Sequence, residues 1–236
     1  MLGHTHAESG LVTGLAVGSF VLPERPGPLL LLCGLTAAYA LAPDIDSCGS
    51  TEARSLGFVT AILSRFVRAV SGGHRHGTHS LLGVAAFTGF AWLACHYRDT
   101  IPGRIALAVI LAAGFAAAVD ALTPRAAHAG NVLALGGAAV MCVTGYGLAL
   151  VPLAAALGAS THVVGDMCTR CGCPLAWPTT MREFHLLPPP LRFTTGKTAE
   201  HWIVTPLLLG ALALLAWHDA STSAFAAHIH TAIGAP

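Results

Sequence analysis

The chain carries a histidine and an aspartate, His162 and Asp166, four residues apart within an apolar segment. In an α-helix this spacing places both side chains on one face, so both can reach a single cation. A hydrogen bond between the two side chains at a helix end is the alternative explanation. Ionisable side chains are costly within an apolar membrane helix, and this segment carries almost no other charge, which favours metal binding.

A pair of carboxylates, Asp44 and Asp46, follows Pro43 at the end of another apolar segment. The proline disfavours helical backbone at the preceding residue, so we expect the two aspartates in a tight turn. A single aspartate at such a place usually forms an Asx turn. Two carboxylates next to an apolar segment offer the oxygen ligands that divalent cations accept, which favours a second contribution to a metal site.

Three histidines are concentrated immediately before the apolar segment at 80–96: His74, His76 and His79. Imidazole nitrogens are common zinc ligands, whereas a solvated polar loop is the alternative. Thr78 or Ser80 can cap the helix that follows. Arg75 would repel a cation, but its planar guanidinium could hold a phosphate or a carboxylate beside one.

Two further ligand candidates, His6 and Glu200, each precede an apolar segment. A disordered end and a helix-terminal charge are the respective alternatives. A different zinc motif is suggested by three closely spaced cysteines, Cys168, Cys171 and Cys173. They lack a second pair of ligands at the spacing of structural zinc sites, although His162 or His185 could complete the set. The set of histidines and aspartates is therefore the stronger prediction.

The composition predicts a polytopic membrane protein. Of 236 residues, 54% are hydrophobic and only 10% are Asp, Glu, Lys or Arg, against about 25% in a typical soluble domain. This composition excludes a disordered chain and a basic nucleic-acid-binding domain, and no nucleic-acid partner is expected. Histidine is unusually frequent, since 13 histidines outnumber the 12 Lys and Arg residues together.

The elements that must position these side chains are apolar segments near 10–22, 27–42, 80–96, 104–122, 130–147, 148–165 and 203–217. We predict an all-α, polytopic membrane helical bundle that forms a single integral membrane domain over residues 1–236. A loop insert near 43–79 and a polar loop near 166–202 interrupt it. Within the insert, apolar residues at helical spacing over 56–70 lie opposite Arg65 and Arg68, which predicts an amphipathic helix on the membrane surface or against the bundle.

The positive-inside rule orients this bundle. If both polar segments face the cytoplasm and each apolar segment crosses once, three basic residues lie outside: Arg25, Arg98 and Arg104. The other nine lie inside: Arg54, Arg65, Arg68, Arg75, Arg125, Arg170, Arg182, Arg192 and Lys197. Five separate segments then bring histidine or carboxylate to one face. We therefore predict a polar site for one or more divalent ions, Zn²⁺ or alternatively Mn²⁺, facing the cytoplasm.

These motifs, in this order, resemble the YdjM-like family of inner-membrane metal-dependent hydrolases. The family's marks are T-H, L-P-D-I/L-D-H, G-H-R-G-x-T-H-S-L, H-x-x-x-D-x-x-T-P-x-G-x-P-L-x-W-P and a later glutamate. The corresponding parts here are Thr5-His6, residues 42–47, residues 73–81, His162 with Asp166 and Thr169, residues 172–178, and Glu200. Ser47 replaces a histidine of the pattern, and Arg170-Cys171 replaces its proline-containing turn.

The resemblance implies a ligand set of eight side chains: His6, Asp44, Asp46, His74, His79, His162, Asp166 and Glu200. The chain is more distantly similar to the zinc-dependent phospholipase C and P1-type nuclease superfamily, which implies phosphoester hydrolysis of a small-molecule or lipid substrate. Asp46 or Asp166 would then act as the base, and Arg75 would hold the anionic substrate. A divalent-metal transporter and a non-catalytic membrane protein with a structural metal are the alternatives.

Overall fold

The structure is a computed structural model that describes residues 1–23, 25–124 and 127–232, and it describes only the backbone of residues 127–129 and 222–232. Arg125, which the charge count places inside, lies outside the described residues. No β-strand occurs in the described ranges, where two isolated bridges join Thr169 to Phe193 and Cys173 to Phe184. The predicted all-α fold class is therefore confirmed.

All seven predicted apolar segments are helical, and two additional helices occupy the insert. The helices are α1 (Gly3–Val21), α2 (Pro26–Tyr39), α3 (Thr51–Arg54), α4 (Phe58–Val70), α5 (Leu81–His96), α6 (Ile101–Leu122), α7 (Ala127–Thr144), α8 (Val151–Met167) and α9 (Thr205–Ala232). Two 3₁₀ turns, Ala42–Asp46 and Gly77–His79, follow α2 and precede α5, and a π-turn, Glu200–Val204, leads into α9.

Within the described residues, four helical stretches are long and apolar enough to cross a membrane: Pro26–Asp46, Ile101–Leu122, Leu148–Met167 and Glu200–Ser221. The helices α1, α5 and α7 are shorter or less apolar, so the count of seven crossings stays a prediction. Along α9, large apolar side chains such as Leu207, Leu214 and Trp217 are exposed. In a membrane protein, a surface of this kind faces lipid.

Close helix contacts between α1, α2 and α8 depend on glycine. A Cβ atom on Gly10 of α1 would lie 2.6 Å from Ala37 Cα, and one on Gly158 of α8 would lie 2.6 Å from the Thr36 carbonyl oxygen. Small residues allow membrane helices to approach to backbone contact in this way. His6 and His162 lie four residues from these glycines, so the close packing fixes the height and direction of both rings.

The amphipathic helix predicted over 56–70 is α4. Its apolar side chains Phe58, Ile62, Phe66 and Val70 are exposed, while Thr60 and Ser64 are buried against the rest of the insert. An amphipathic helix with exposed apolar residues fits the membrane surface, where its apolar face meets lipid. The same helix packs against the turn that carries Asp44 and Asp46.

Candidate metal centre

The predicted ligands converge from four segments of the chain. Seven of the eight lie together: His6 on α1, Asp44 and Asp46 in the first 3₁₀ turn, His74 and His79 before α5, and His162 and Asp166 on α8. Ligand atoms lie within 4.8 Å of one another in three groups: His6, Asp44 and His162; Asp44, His74 and His79; and His79, His162 and Asp166. Asp44, His79 and His162 each belong to two groups.

His79 and His162 face each other through their Nε2 atoms, which are 3.1 Å apart. The Nδ1 atom of His162 lies 2.7 Å from the Ala40 carbonyl oxygen and must donate, because a carbonyl only accepts. The Nδ1 atom of His79 lies 2.9 Å from the Thr78 hydroxyl oxygen, and that hydroxyl donates to Asp46. These contacts engage both Nδ1 atoms and leave the two Nε2 atoms directed at the same point, where one cation could be bound by both.

Two carboxylates, Asp44 and Asp166, lie near this pair of nitrogens. Asp44 Oδ1 lies 3.5 Å from His79 Nε2 and 3.8 Å from His162 Nε2, and Asp166 Oδ2 lies 3.8 Å from His79 Nε2. Around a tetrahedral zinc ion with bonds of about 2.0–2.1 Å, neighbouring ligand atoms are roughly 3.3 Å apart. The donor types and their spacing therefore fit the divalent metal that the family resemblance implies.

His6 adds a further nitrogen to the set. Its ring stacks on that of His162 with centroids 3.7 Å apart. Its Nε2 atom lies 3.3 Å from Asp166 Oδ1 but is not aligned for a hydrogen bond, and its Nδ1 atom has no hydrogen-bond partner among the described residues. Since His6 is fully buried and buried polar atoms are normally satisfied, a metal ion fits beside this ring as well.

Asp46 lies behind the histidines and holds them in place. One of its oxygens accepts from His74 Nδ1 at 2.7 Å, and the other accepts from the Thr78 hydroxyl at 2.5 Å. Through Thr78 the carboxylate also fixes His79. Carboxylates that orient ligating histidines in this way tune metal affinity without touching the ion. Asp46 belongs to none of the three ligand groups formed by the described residues.

Arg75 brings positive charge to the edge of the cluster. Its Nη2 atom lies 3.0 Å from Asp166 Oδ2, and its backbone N–H donates to Asp46 Oδ2 at 3.2 Å. The backbone φ of +60° is rare for a residue other than glycine, and the bond to Asp46 helps to hold it. Burial lowers the pKa of the guanidinium, but the negative groups around it, with Asp166 the strongest, together more than offset this, and the pKa is raised.

Glu200 is the predicted ligand that the structure places apart from the groups. Its carboxylate accepts from the Leu2 backbone N–H and from the Gly196 backbone N–H, both at 2.7 Å. These bonds attach the start of α1 to the π-turn before α9. The N-terminal ammonium of Met1 ion-pairs with Asp166, so this part of the chain lies against the cluster. Glu200 thus holds the segment that carries His6.

The three cysteines after α8 do not converge. Cys171 is exposed, Cys168 is half-buried, and the buried Cys173 directs its Sγ atom to the Val163 carbonyl oxygen at 3.6 Å. No cysteine belongs to any of the ligand groups found among the described residues. His185, the proposed completing ligand, lies 3.2 Å from the Thr169 carbonyl oxygen. The histidine and aspartate set remains the candidate.

Three contributors to the site were missed from the sequence or assigned another role. Thr78 links Asp46 to His79, whereas Ser80 caps α5 by accepting from the Gly83 N–H at 3.1 Å. The Ala40 carbonyl fixes His162, and Arg68 lies 3.4 Å from the Asp46 carbonyl oxygen. A threonine beside a histidine was the only available signal, since backbone carbonyl contacts leave no trace in residue types.

Comparisons with known proteins complete this description. No curated protein and no solved structure matches the chain. The family model of the YdjM inner membrane protein matches residues 1–234, which is nearly the whole sequence and includes all the segments that build the cluster. The chain with its membrane-length helices therefore belongs to the YdjM inner membrane protein family.

Proposed function

We propose that the chain is a metal-dependent phosphoester hydrolase of the inner membrane, with its centre at the cytoplasmic face and Zn²⁺ or Mn²⁺ as its metal. The observation that carries the proposal is the pair of Nε2 atoms of His79 and His162, 3.1 Å apart with both Nδ1 atoms engaged elsewhere. A divalent ion bound to both Nε2 atoms would satisfy these buried nitrogens. Asp44 and Asp166 supply matching negative charge.

The chemistry follows from the groups around this point. A bound divalent ion lowers the pKa of a coordinated water and polarises a phosphoryl oxygen. In the hydrolysis, water adds to phosphorus, the ester P–O bond breaks, and the alcohol leaves with a proton. The Arg75 guanidinium, 3.0 Å from Asp166, offers a planar fork for phosphate oxygens at the edge of the cluster.

The structure favours one of the two predicted bases. Both oxygens of Asp46 already accept hydrogen bonds from His74, Arg75 and Thr78, so this carboxylate is suited to positioning. Both oxygens of Asp166 are engaged as well, one by the Met1 ammonium and the other by Arg75, but Asp166 lies among the ligand atoms themselves, whereas Asp46 does not. We therefore assign proton acceptance from water to Asp166 and histidine alignment to Asp46.

Metal analysis and a substrate panel test the proposal together. The detergent-purified chain is expected to hold at least one divalent ion after Zn²⁺ or Mn²⁺ loading and to hydrolyse phosphomonoesters, phosphodiesters or phospholipids. Asp44→Asn should lower turnover by at least about 100-fold while the thermal unfolding temperature is maintained. Asp99→Asn, an exposed aspartate after α5, is the matched control and should retain activity.

Other outcomes of the same experiment identify the alternatives. Bound metal without turnover on any ester, together with a lower unfolding temperature for Asp44→Asn, would indicate a structural metal. Ion uptake by proteoliposomes that depends on Asp44, without turnover, would indicate transport. Protein that holds no metal after loading would contradict both the site and the proposed activity.

The cytoplasmic orientation is tested by thiol labelling. In a background without native cysteine, Gly49→Cys and Thr198→Cys are exposed on the cluster side, whereas Asp99→Cys follows the far end of α5. That helix has 16 residues, which is about 24 Å. An impermeant maleimide should label the first two only from the cytoplasmic side and the third only from the opposite side. Labelling of Gly49→Cys and Thr198→Cys from different sides would contradict the proposed orientation.

A further inference from the structure

An apolar cavity of about 530 Å³ lies beside the metal centre, between α2, α4, α5 and α6. Its volume falls within the roughly 300–1,000 Å³ of typical small-molecule sites. The lining is almost entirely apolar, with Leu35, Ile110 and Phe115 among its walls. None of the predicted metal ligands lines it, so this cavity is a separate feature of the fold.

The cavity is continuous with the surface that meets lipid. Phe66 and Val70 of α4 and Leu82 and Phe90 of α5 line it and are also exposed. In a membrane protein these side chains face acyl chains, so the cavity opens sideways toward the bilayer. A hydrocarbon chain can enter through this opening without crossing water.

The cavity and the metal centre share a wall. In the first 3₁₀ turn, which has three residues per turn, Ala42 and Ile45 lie on one side and line the cavity. Asp44, on another side of the same turn, belongs to the ligand groups. Thr78 also lines the cavity, and its hydroxyl donates to Asp46. One layer of backbone therefore separates the two sites.

The charges around the cavity suit an anionic head group at one end and a chain at the other. Arg68 on α4 is exposed and lies 3.4 Å from the Asp46 carbonyl oxygen, next to the lining residue Val67. Arg75 lies at the other edge of the centre. Inside the cavity, burial raises the pKa of Glu52 to about 8, so its carboxyl is neutral at pH 7 and the interior carries no charge.

We infer that this cavity holds one acyl chain of a bilayer phospholipid whose phosphate lies between Arg68 and Arg75, at the metal centre. The inference rests on the proposed function, because it names phospholipids as the substrate class of that centre. The chain would fix the lipid with its phosphoester beside the ligand groups while the second chain stays in the bilayer.

Two neighbouring alanines of α5 provide the test. Ala86 lines the cavity and Ala85 does not, although both are exposed. The full chain is placed in phosphatidylcholine nanodiscs that contain phosphatidylglycerol with a diazirine at the end of one acyl chain. After irradiation, cross-links are expected on cavity residues of α4, α5 and α6. Ala86→Trp should reduce them at least about fivefold because the indole ring would occupy part of the space that the acyl chain needs, and Ala85→Trp should leave them unchanged.

Turnover measured on the same variants separates this inference from the proposed function. Ala86→Trp should slow hydrolysis of the long-chain phospholipid while turnover of a water-soluble aryl phosphate is unchanged. Cavity cross-links without hydrolysis of either ester would uphold chain binding and contradict the hydrolase. Cross-links that are confined to outer helix faces and equal in both variants would overturn chain binding. Cross-links from the cavity to a second copy of the chain would overturn it as well.

Discussion

The cluster of histidines and aspartates and the cysteine turn that follows α8 both have metal-like spacing in the sequence, yet the structure treats them differently. The cluster collects side chains from four segments, and three groups of its ligand atoms lie within 4.8 Å. The cysteines share one short turn, but one is exposed and another donates to a backbone carbonyl. Closeness along the chain is therefore not enough to form a metal site. The ligands converge where packed helices and loops hold their side chains toward one point.

The largest effect is expected from removing a nitrogen at the centre of the cluster. His162→Ala deletes the Nε2 atom that opposes His79, and two of the three ligand groups lose a member. We expect the loss of at least one bound ion per chain, measured by inductively coupled plasma mass spectrometry after zinc loading. His96→Ala, a histidine that stacks on Trp92 at the far end of α5, should retain the full metal content. Equal metal content in both variants would contradict the ligand assignment.

A smaller effect is expected from the carboxylate behind the histidines. Asp46→Asn removes the charge that aligns His74 directly and His79 through Thr78. Loss of such a supporting partner typically lowers metal affinity by about 10–100-fold. Competition with a chromogenic zinc chelator would measure the change. If Asp46→Asn lost metal completely, as expected for His162→Ala, Asp46 would be a direct ligand rather than a positioning residue.

The sequence identifies candidate metal ligands, but it does not distinguish residues that would bind the ion from residues that position those ligands. Apolar segments predicted seven of the described helices, and residue types together with the family resemblance named the side chains that the structure brings together. The roles of Asp46 and Thr78 depend on how the first 3₁₀ turn faces the loop before α5, which is a tertiary property. Glu200 has the residue type of a ligand, yet its oxygens accept from the backbone of Leu2 and Gly196. Residue types identify candidate ligands, whereas the hydrogen bonds in the structure indicate which role each candidate has.

A third and still smaller effect is expected from disturbing the close helix packing that positions His162. Gly158→Ala places a Cβ atom 2.6 Å from the Thr36 carbonyl oxygen, so α8 must move away from α2. Overpacking of this kind costs about 1–3 kcal/mol, and we expect a lower unfolding temperature in detergent together with weaker metal binding, since His162 shifts from Ala40. At Gly136 on α7 an added Cβ atom would meet nothing within 4 Å beyond the adjacent backbone of its own helix, so Gly136→Ala should instead stabilise the helix slightly. The same response from both glycines would contradict the role of close packing.

The smallest effect on metal content is expected from replacing the three cysteines that follow α8. A zinc site there would need at least three sulfur or nitrogen ligands within bonding distance of one ion. The three sulfurs differ in exposure, and His185 lies against the Thr169 carbonyl oxygen. The combined variant Cys168→Ser, Cys171→Ser and Cys173→Ala should therefore bind as many zinc ions as the unaltered chain, because its cluster of histidines and aspartates is intact. Metal analysis of both proteins in parallel measures this. A loss of one ion per chain would show that these thiolates ligate metal, and the turn would then be a second centre built by local spacing.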